Sequence, residues 1–354
     1  MASQRNGRLM RILPILAALL LAGCSAAPAP SADYVLTYAS PYPPSHPFGL
    51  ADQEWMRWVT AKSGGRIAFK PYWSGALLSS DMSMEEIRHG IADIGLITPI
   101  YSRGGAHLLR GQAAFYGGVR DIPDQVAVYD CLAARFPQFD HETEGLHVLA
   151  VQGGNFPGIL TRTRPVRTLA DLRGLRLRAQ SDAIDMLKQL GADPVNMPMG
   201  EVYSALAKGV IDGVVAPADT IRSLHFAEVA RHFTALRFSR GAYPARAMSD
   251  RAWRRLPADL QAVLTAGKPV WEGALNTQLL KAEAAGIDYG RREGIRFYAL
   301  PAREQRAFDA LYNTDARAQA VRLRSVGIDA LPIYDAAQRL IATGPIQCSK
   351  EDAR

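Results

Sequence analysis

Between residues 168 and 217 the chain alternates short apolar strands with short amphipathic helices, an order that demands a largely parallel sheet covered by helices. The run Leu175-Arg176-Leu177-Arg178-Ala179 follows a turn at Gly174 and alternates with period two. Asp182 then opens an apolar-periodic helix that stops at Gly191. Residues 193–197 read as the next strand, 200–208 as a helix closed by Gly209, and 213–216 as a buried strand stopped by Pro217. Open sheets of this kind collect ligands beyond the carboxyl ends of their strands, which is where Arg178 stands. A planar guanidinium there can hold a carboxylate through two parallel hydrogen bonds.

The first half of the chain repeats the theme. Residues 34–39 alternate as a strand, 48–62 carry helical spacing, Gly64-Gly65 breaks it, and 66–72 read as a strand again. A helix over 84–89 leads through Gly90 and Asp93 into the apolar strand 94–97 and then Thr98-Pro99. Gly209, Asp212 and Val214-Val215 lead in the same way into Ala216-Pro217. Gly caps the helix and Asp orders the turn, so both pairs are scaffold. Two such lobes facing each other would bring Thr98, Arg178 and Ala216 to opposing strand ends around one cleft. From 256 to 286 the sequence is helical with few breaks, 295–300 is a short strand, and helices follow to Ile341.

The amino terminus is different. Arg5, Arg8 and Arg11 precede an apolar run over 12–22, short of the roughly 20 residues that span a bilayer. This is an export signal covering residues 1–23. It ends in Leu21-Ala22-Gly23-Cys24, which looks like a bacterial lipobox, so cleavage would leave Cys24 as a lipidated first residue. The Ala/Pro/Ser tract that follows makes residues 24–32 a flexible leash. Removing three arginines and no acid with the signal lowers the formal charge from +7 to +4. Arg162, Arg164, Arg167, Arg173 and Arg176 cluster near Arg178; such a face can bind nucleic acid or steer anions, and export argues against nucleic acid. Cys131 and Cys348 would then sit where disulfides form, but their separation neither supports nor excludes a bridge.

The joint order of Asp171-Leu172-Arg173-Gly174-Leu175 with Arg178, Leu190-Gly191-Ala192, Glu201-Val202-Tyr203, Ala205-Leu206, Gly209 with Asp212-Gly213, and Trp253 with Leu256-Pro257 resembles a known family. So do Ser63-Gly64-Gly65 and Gly90 with Asp93. The family is the substrate-binding proteins of tripartite ATP-independent periplasmic (TRAP) transporters, of the DctP type. The resemblance implies an α/β, two-lobed, type II-like periplasmic-binding-protein fold, each lobe a mixed, mostly parallel sheet flanked by helices, with a long inter-lobe helix. It implies chain crossings near Gly154-Asn155, near Tyr243 and along that helix. Lobe I would hold residues 33–154 and about 244–283, lobe II 155–243 and about 284–340, and 341–354 would form a tail.

No Gly-x-Ser-x-Gly elbow, Gly-x-x-x-x-Gly-Lys loop or Gly-x-Gly-x-x-Gly turn occurs, and His141, Glu142 and His147 miss the spacing of a helical zinc site. The expectation is therefore a monomeric binding protein without catalytic residues, metal or cofactor. It would be extracytoplasmic and lipid-anchored, capturing a small organic acid for a TRAP permease. The alternatives are service to another transporter class or a sensor kinase, and an exported enzyme on the same scaffold.

In the family the arginine matching Arg178 holds the substrate carboxylate. Sialic-acid-binding members have a second arginine where Gly158 stands and an asparagine where Ala216 stands, so this chain points to a smaller or less polar acid. Thr98, Asn155 and Ser181 can donate hydrogen bonds at strand ends or serve their turns. Met199 can pack on an apolar ligand body or fill core. Trp73 and Tyr243 are candidate walls. Asp219 caps the next helix, or, if it faces the cleft, favours a ligand with an amino group or hydroxyls.

Overall fold

The computed structural model describes residues 32–348. The expected export signal, Cys24 and all but the last residue of the expected leash lie outside the described residues.

Eleven strands form two sheets among the described residues: β1 (Tyr34–Ala39), β2 (Ile67–Tyr72), β3 (Ile94–Leu96), β4 (Leu146–Gln152), β5 (Gly158–Thr161), β6 (Arg176–Arg178), β7 (Asp193–Val195), β8 (Gly213–Ala216), β9 (His232–Ala235), β10 (Tyr243–Ser249) and β11 (Arg296–Ala299). The first sheet runs β2-β1-β3-β10-β4 and the second β11-β9-β5-β8-β6-β7. β1 is parallel to β2 and β3, and β6 is parallel to β7 and β8, as strand-helix alternation requires.

Each sheet also contains one strand that opposes both neighbours: β10 between β3 and β4, and β5 between β8 and β9. Both enter straight from the other sheet, β5 from β4 and β10 from β9. Without a crossover helix to return the chain, neither can lie parallel.

The paired Gly and Asp positions are structural, and they tie strands together. Gly90 and Gly209 adopt φ of 78° and 71°, the left-handed conformation that ends a helix. Asp93 then accepts from Thr37 N at 2.8 Å and Asp212 from Arg176 N at 2.8 Å. Each carboxylate fastens the start of one strand to the next strand of its sheet.

Apolar cores cover both faces of each sheet. The helix Lys268–Arg292 bridges them: Trp271, Leu275 and Leu279 enter the first lobe's core, while Ile287 and Tyr289 pack on the second. The helix Ala302–Arg322 does the same in the opposite sense. Phe308 and Tyr312 are buried in the second lobe, but Ala316 and Ala320 join the first lobe's core together with Ile333, Ala336 and Ala337 of the helix Leu331–Ala342. The expectation that lobe II runs to about residue 340 is therefore corrected. From about Ala316 onward the small side chains pack on lobe I.

A disulfide joins Cys131, in the helix Ile122–Arg135, to Cys348 with Cα atoms 5.1 Å apart. It pins the segment expected to be a tail onto lobe I. Among the described residues no helix is long and apolar enough to cross a membrane.

Candidate functional site

Arg178 ends β6 with its side chain pointing inward, 0% exposed. Its Nε donates to Met197 O at 3.0 Å, Nη1 to Val215 O at 3.5 Å, and Nη2 to the hydroxyl of Tyr101, whose ring also faces the guanidinium. All three acceptors are neutral, and among the described residues no carboxylate forms an ion pair with Arg178. Of its five N–H groups, two have no described acceptor. Protein oxygens enclose it, and Tyr101, from the first lobe, covers it. Ser181 makes a second tie across the lobes, donating to Ile100 O at 3.3 Å.

Tyr101 faces a cavity between the two sheets. Its free volume is about 50 Å³, room for a few waters at roughly 10–15 Å³ each. One wall is aromatic: Tyr42 and His46, from the proline-rich loop after β1, and Phe48, in the first turn of the helix Pro47–Lys62, have ring centroids 4.5–4.9 Å apart. Burial pushes the imidazole of His46 down to about 3, with the charge of Arg246 adding to the effect, so the ring is neutral; its Nδ1 accepts from Phe48 N. Phe238 and Met199 add apolar surface from the second lobe.

The polar groups come from the crossing segments. Arg240 lies between β9 and β10 and packs directly on Gly154 between β4 and β5. A Cβ at Gly154 would fall 2.4 Å from its Cζ. It makes no ion pair among the described residues; it donates to Asn155 O at 3.4 Å and lies beside the Tyr243 hydroxyl. Asn155 Nδ2 donates to Asp219 Oδ1 at 3.2 Å and Leu279 O at 2.9 Å, and Glu283 accepts from Asp219 N at 3.0 Å.

Burial raises the Asp182 carboxyl to about 6 against hydrogen bonds from its own amide and that of Ala183 and the charges of Arg240 and Arg178. Burial also raises Asp219, and raises Glu283, with the help of Asp219, to about 7. The cavity thus sets one lining guanidinium, Arg240, beside an aromatic wall and acids whose proton affinity burial raises, with Arg178 behind Tyr101. Among the described residues no group of His, Cys, Asp or Glu could hold a metal ion.

Of the residues singled out from sequence, Asn155, Met199, Asp219 and Tyr243 line this cavity. Tyr243 accepts from Gln152 Nε2 at 2.6 Å. Arg178 stands one layer behind, through Tyr101. Thr98 does not line it: its amide donates to Ser83 Oγ at 3.0 Å and its hydroxyl to Ser80 O, a turn function. Ser181 also lies outside the lining and is occupied by Ile100 and Asn196. The methyl of Ala216 packs in the second lobe's core while Val215 and Pro217 face the cavity. Trp73 packs on the first lobe's core, its ring 5.6 Å from Tyr38.

Gly158 could not carry a second arginine toward the cavity, because a Cβ there would lie 2.5 Å from Thr234 O. Arg240 supplies the second guanidinium instead. The sequence reading missed Arg240, Tyr42, His46, Phe48 and Tyr101. Four prolines between 41 and 47, immediately after a strand, were the available signal for the aromatic loop.

The model of bacterial extracellular solute-binding proteins, family 7 (DctP), matches residues 38–321. The C4-dicarboxylate-binding protein DctB of Bacillus subtilis is 28% identical over 272 residues, 73% of this chain and 74% of the relative. A TRAP solute-binding protein from Rhodoferax ferrireducens, crystallised with copurified benzoate, superposes with a TM-score of 0.78 at 25% identity, covering 87% of this chain and 98% of the other. A marine metagenome TRAP solute-binding protein in complex with 3-hydroxybenzoate superposes with a TM-score of 0.77 at 22% identity, covering 89% and 100%, a likeness of fold.

Proposed function

The chain belongs to the bacterial extracellular solute-binding proteins of family 7, and we propose that its solute is an aromatic monocarboxylate, captured between the lobes and passed to a TRAP-type permease. The observation that carries this reading is Arg178, a buried cation with no carboxylate ion pair among the described residues, set behind a cavity walled by Tyr42, Phe48 and Phe238. Taking a guanidinium out of water costs several kcal/mol unless an anion compensates it. The ligand carboxylate supplies that anion. Tyr101 either swings aside or donates its own hydroxyl hydrogen to the carboxylate while still accepting from Arg178. Arg240 approaches the same anion from the crossing segment, and the ring of the acid fills the aromatic wall.

The benzoate found with the Rhodoferax relative supports an aromatic ligand, as does the apolar side of the cavity. A micromolar complex corresponds to about 8 kcal/mol, within reach of one desolvated bidentate pair and a buried ring. The chain performs no covalent chemistry in this reading. It acts as a monomer in the periplasm, tethered through lipid on Cys24, and releases its cargo when the lobes open by a hinge motion.

Isothermal titration of the protein with benzoate tests the site. Arg178→Ala should weaken binding by about 2–5 kcal/mol and Arg240→Ala should weaken it less; undiminished affinity in a folded Arg178→Ala variant would refute the assignment. Cys24→Ser should move the protein from the membrane fraction to the soluble fraction.

A further inference from the structure

Asp219 is buried, 3% exposed, yet it lines the cavity. Its carboxylate accepts from Asn155 Nδ2 at 3.2 Å and from its own backbone amide. A carboxylate offers about four acceptor positions, so about half remain open. No cation fills them. Arg240 shares the cavity, and Arg222 and Lys281 border an outer groove on the far side of Asp219, but none of the three makes an ion pair with it among the described residues. Glu283, accepting from the Asp219 amide, adds a second carboxyl beside it and makes the place still more favourable to a hydrogen-bond donor.

β8 sets the spacing. Val215 O accepts from Arg178, and Asp219 follows four residues later on the same chain segment. A carboxylate-holding end and an acceptor end therefore lie within the length of one small molecule.

We infer that Asp219 makes this site select an aromatic acid bearing a ring hydroxyl over the unsubstituted acid; the inference rests on the aromatic-acid reading above. The ligand carboxylate goes to the Arg178 end, the ring lies on Tyr42 and Phe48, and the hydroxyl donates to the free oxygen of Asp219. A neutral hydroxyl suits the place better than an ammonium, because the Arg240 charge in the same cavity repels a second cation. A bare ring closed against Asp219 leaves the acceptor buried and unmet, and that is the source of discrimination.

The test is calorimetry of the full chain with benzoate, 3-hydroxybenzoate and 4-hydroxybenzoate, for wild type, Asp219→Asn and Asp219→Ser, each checked for folding by its thermal transition. At least one hydroxybenzoate should bind wild type about ten to a hundred times more tightly than benzoate, the range expected of a hydrogen bond to a charged acceptor. In either variant that ratio should shrink to within about threefold, whatever the absolute affinities. Benzoate binding wild type as tightly as both hydroxy acids would overturn the inference and leave the aromatic-acid reading standing. So would a ratio that persists in the variants. Failure of all three acids to bind would overturn both.

Discussion

Among the described residues two arginines are buried, and the terms of their burial differ. Arg246, on β10 in the first lobe, is locked to Asp52 through two parallel bonds, Nε to Oδ1 at 2.7 Å and Nη2 to Oδ2 at 3.1 Å, with both side chains at most 2% exposed. Trp271 Nε1 donates to the same carboxylate at 2.7 Å, and its ring lies 4.4 Å from the Arg246 guanidinium. Arg178, in the second lobe, has only two carbonyls and a phenol. The first arginine is finished as structure; the second is left short of an anion. Burial alone therefore says little about function, whereas burial without a counter-charge says much.

Breaking the finished pair should have the largest effect. Asp52→Asn leaves Arg246 buried and unpaired, so chemical denaturation should show a loss of about 3–5 kcal/mol. Arg178→Ala should behave in the opposite way. It should cost about 2–5 kcal/mol of ligand binding and clearly less stability than Asp52→Asn. Equal destabilisation by the two substitutions would erase the distinction.

The acids around the second arginine predict a pH dependence. Asp182 and Glu283 bind protons more tightly in the folded protein, at about 6 and about 7, than in the unfolded chain at 3.8 and 4.5. The folded state then holds more protons between those values, so stability falls as pH rises through the window and is recovered on acidification from about 7.5 to 5. The gain should be on the order of 3–4 kcal/mol. Denaturation midpoints should rise over that range, and Asp182→Asn combined with Glu283→Gln should flatten the profile.

The smallest effect concerns Tyr101. Tyr101→Phe removes one acceptor from Arg178 and should lower the stability of the ligand-free protein by about 1 kcal/mol. With saturating benzoate the loss should shrink, since the carboxylate then occupies the guanidinium. An unchanged loss with ligand would mean that Tyr101 only supports packing.

Much of the scaffold was legible in advance. The strand and helix spacing of residues 34–97 and 175–216 matches the observed elements, because local periodicity records which face of each element is buried. The position of Arg178 at the end of β6 was legible too, since period-two alternation after the turn at Gly174 marks the strand. Thr98, Ala216 and Trp73 stand outside the cavity for reasons that spacing does not carry. A strand end has two faces, and neighbouring strands decide which one the cavity sees.

By itself, then, the sequence determined the elements, their parallel pairing within each lobe, and the arginine that terminates β6. Tertiary structure alone decided the reversal of β5 and β10, the return of the last helix to lobe I, and the meeting of Arg240, Tyr101 and the Tyr42-His46-Phe48 wall. The reason is range. Periodicity reports contacts within a turn or a strand pair, whereas this site is built from segments up to about two hundred residues apart, joined only when crossing strands and bridging helices place the lobes together.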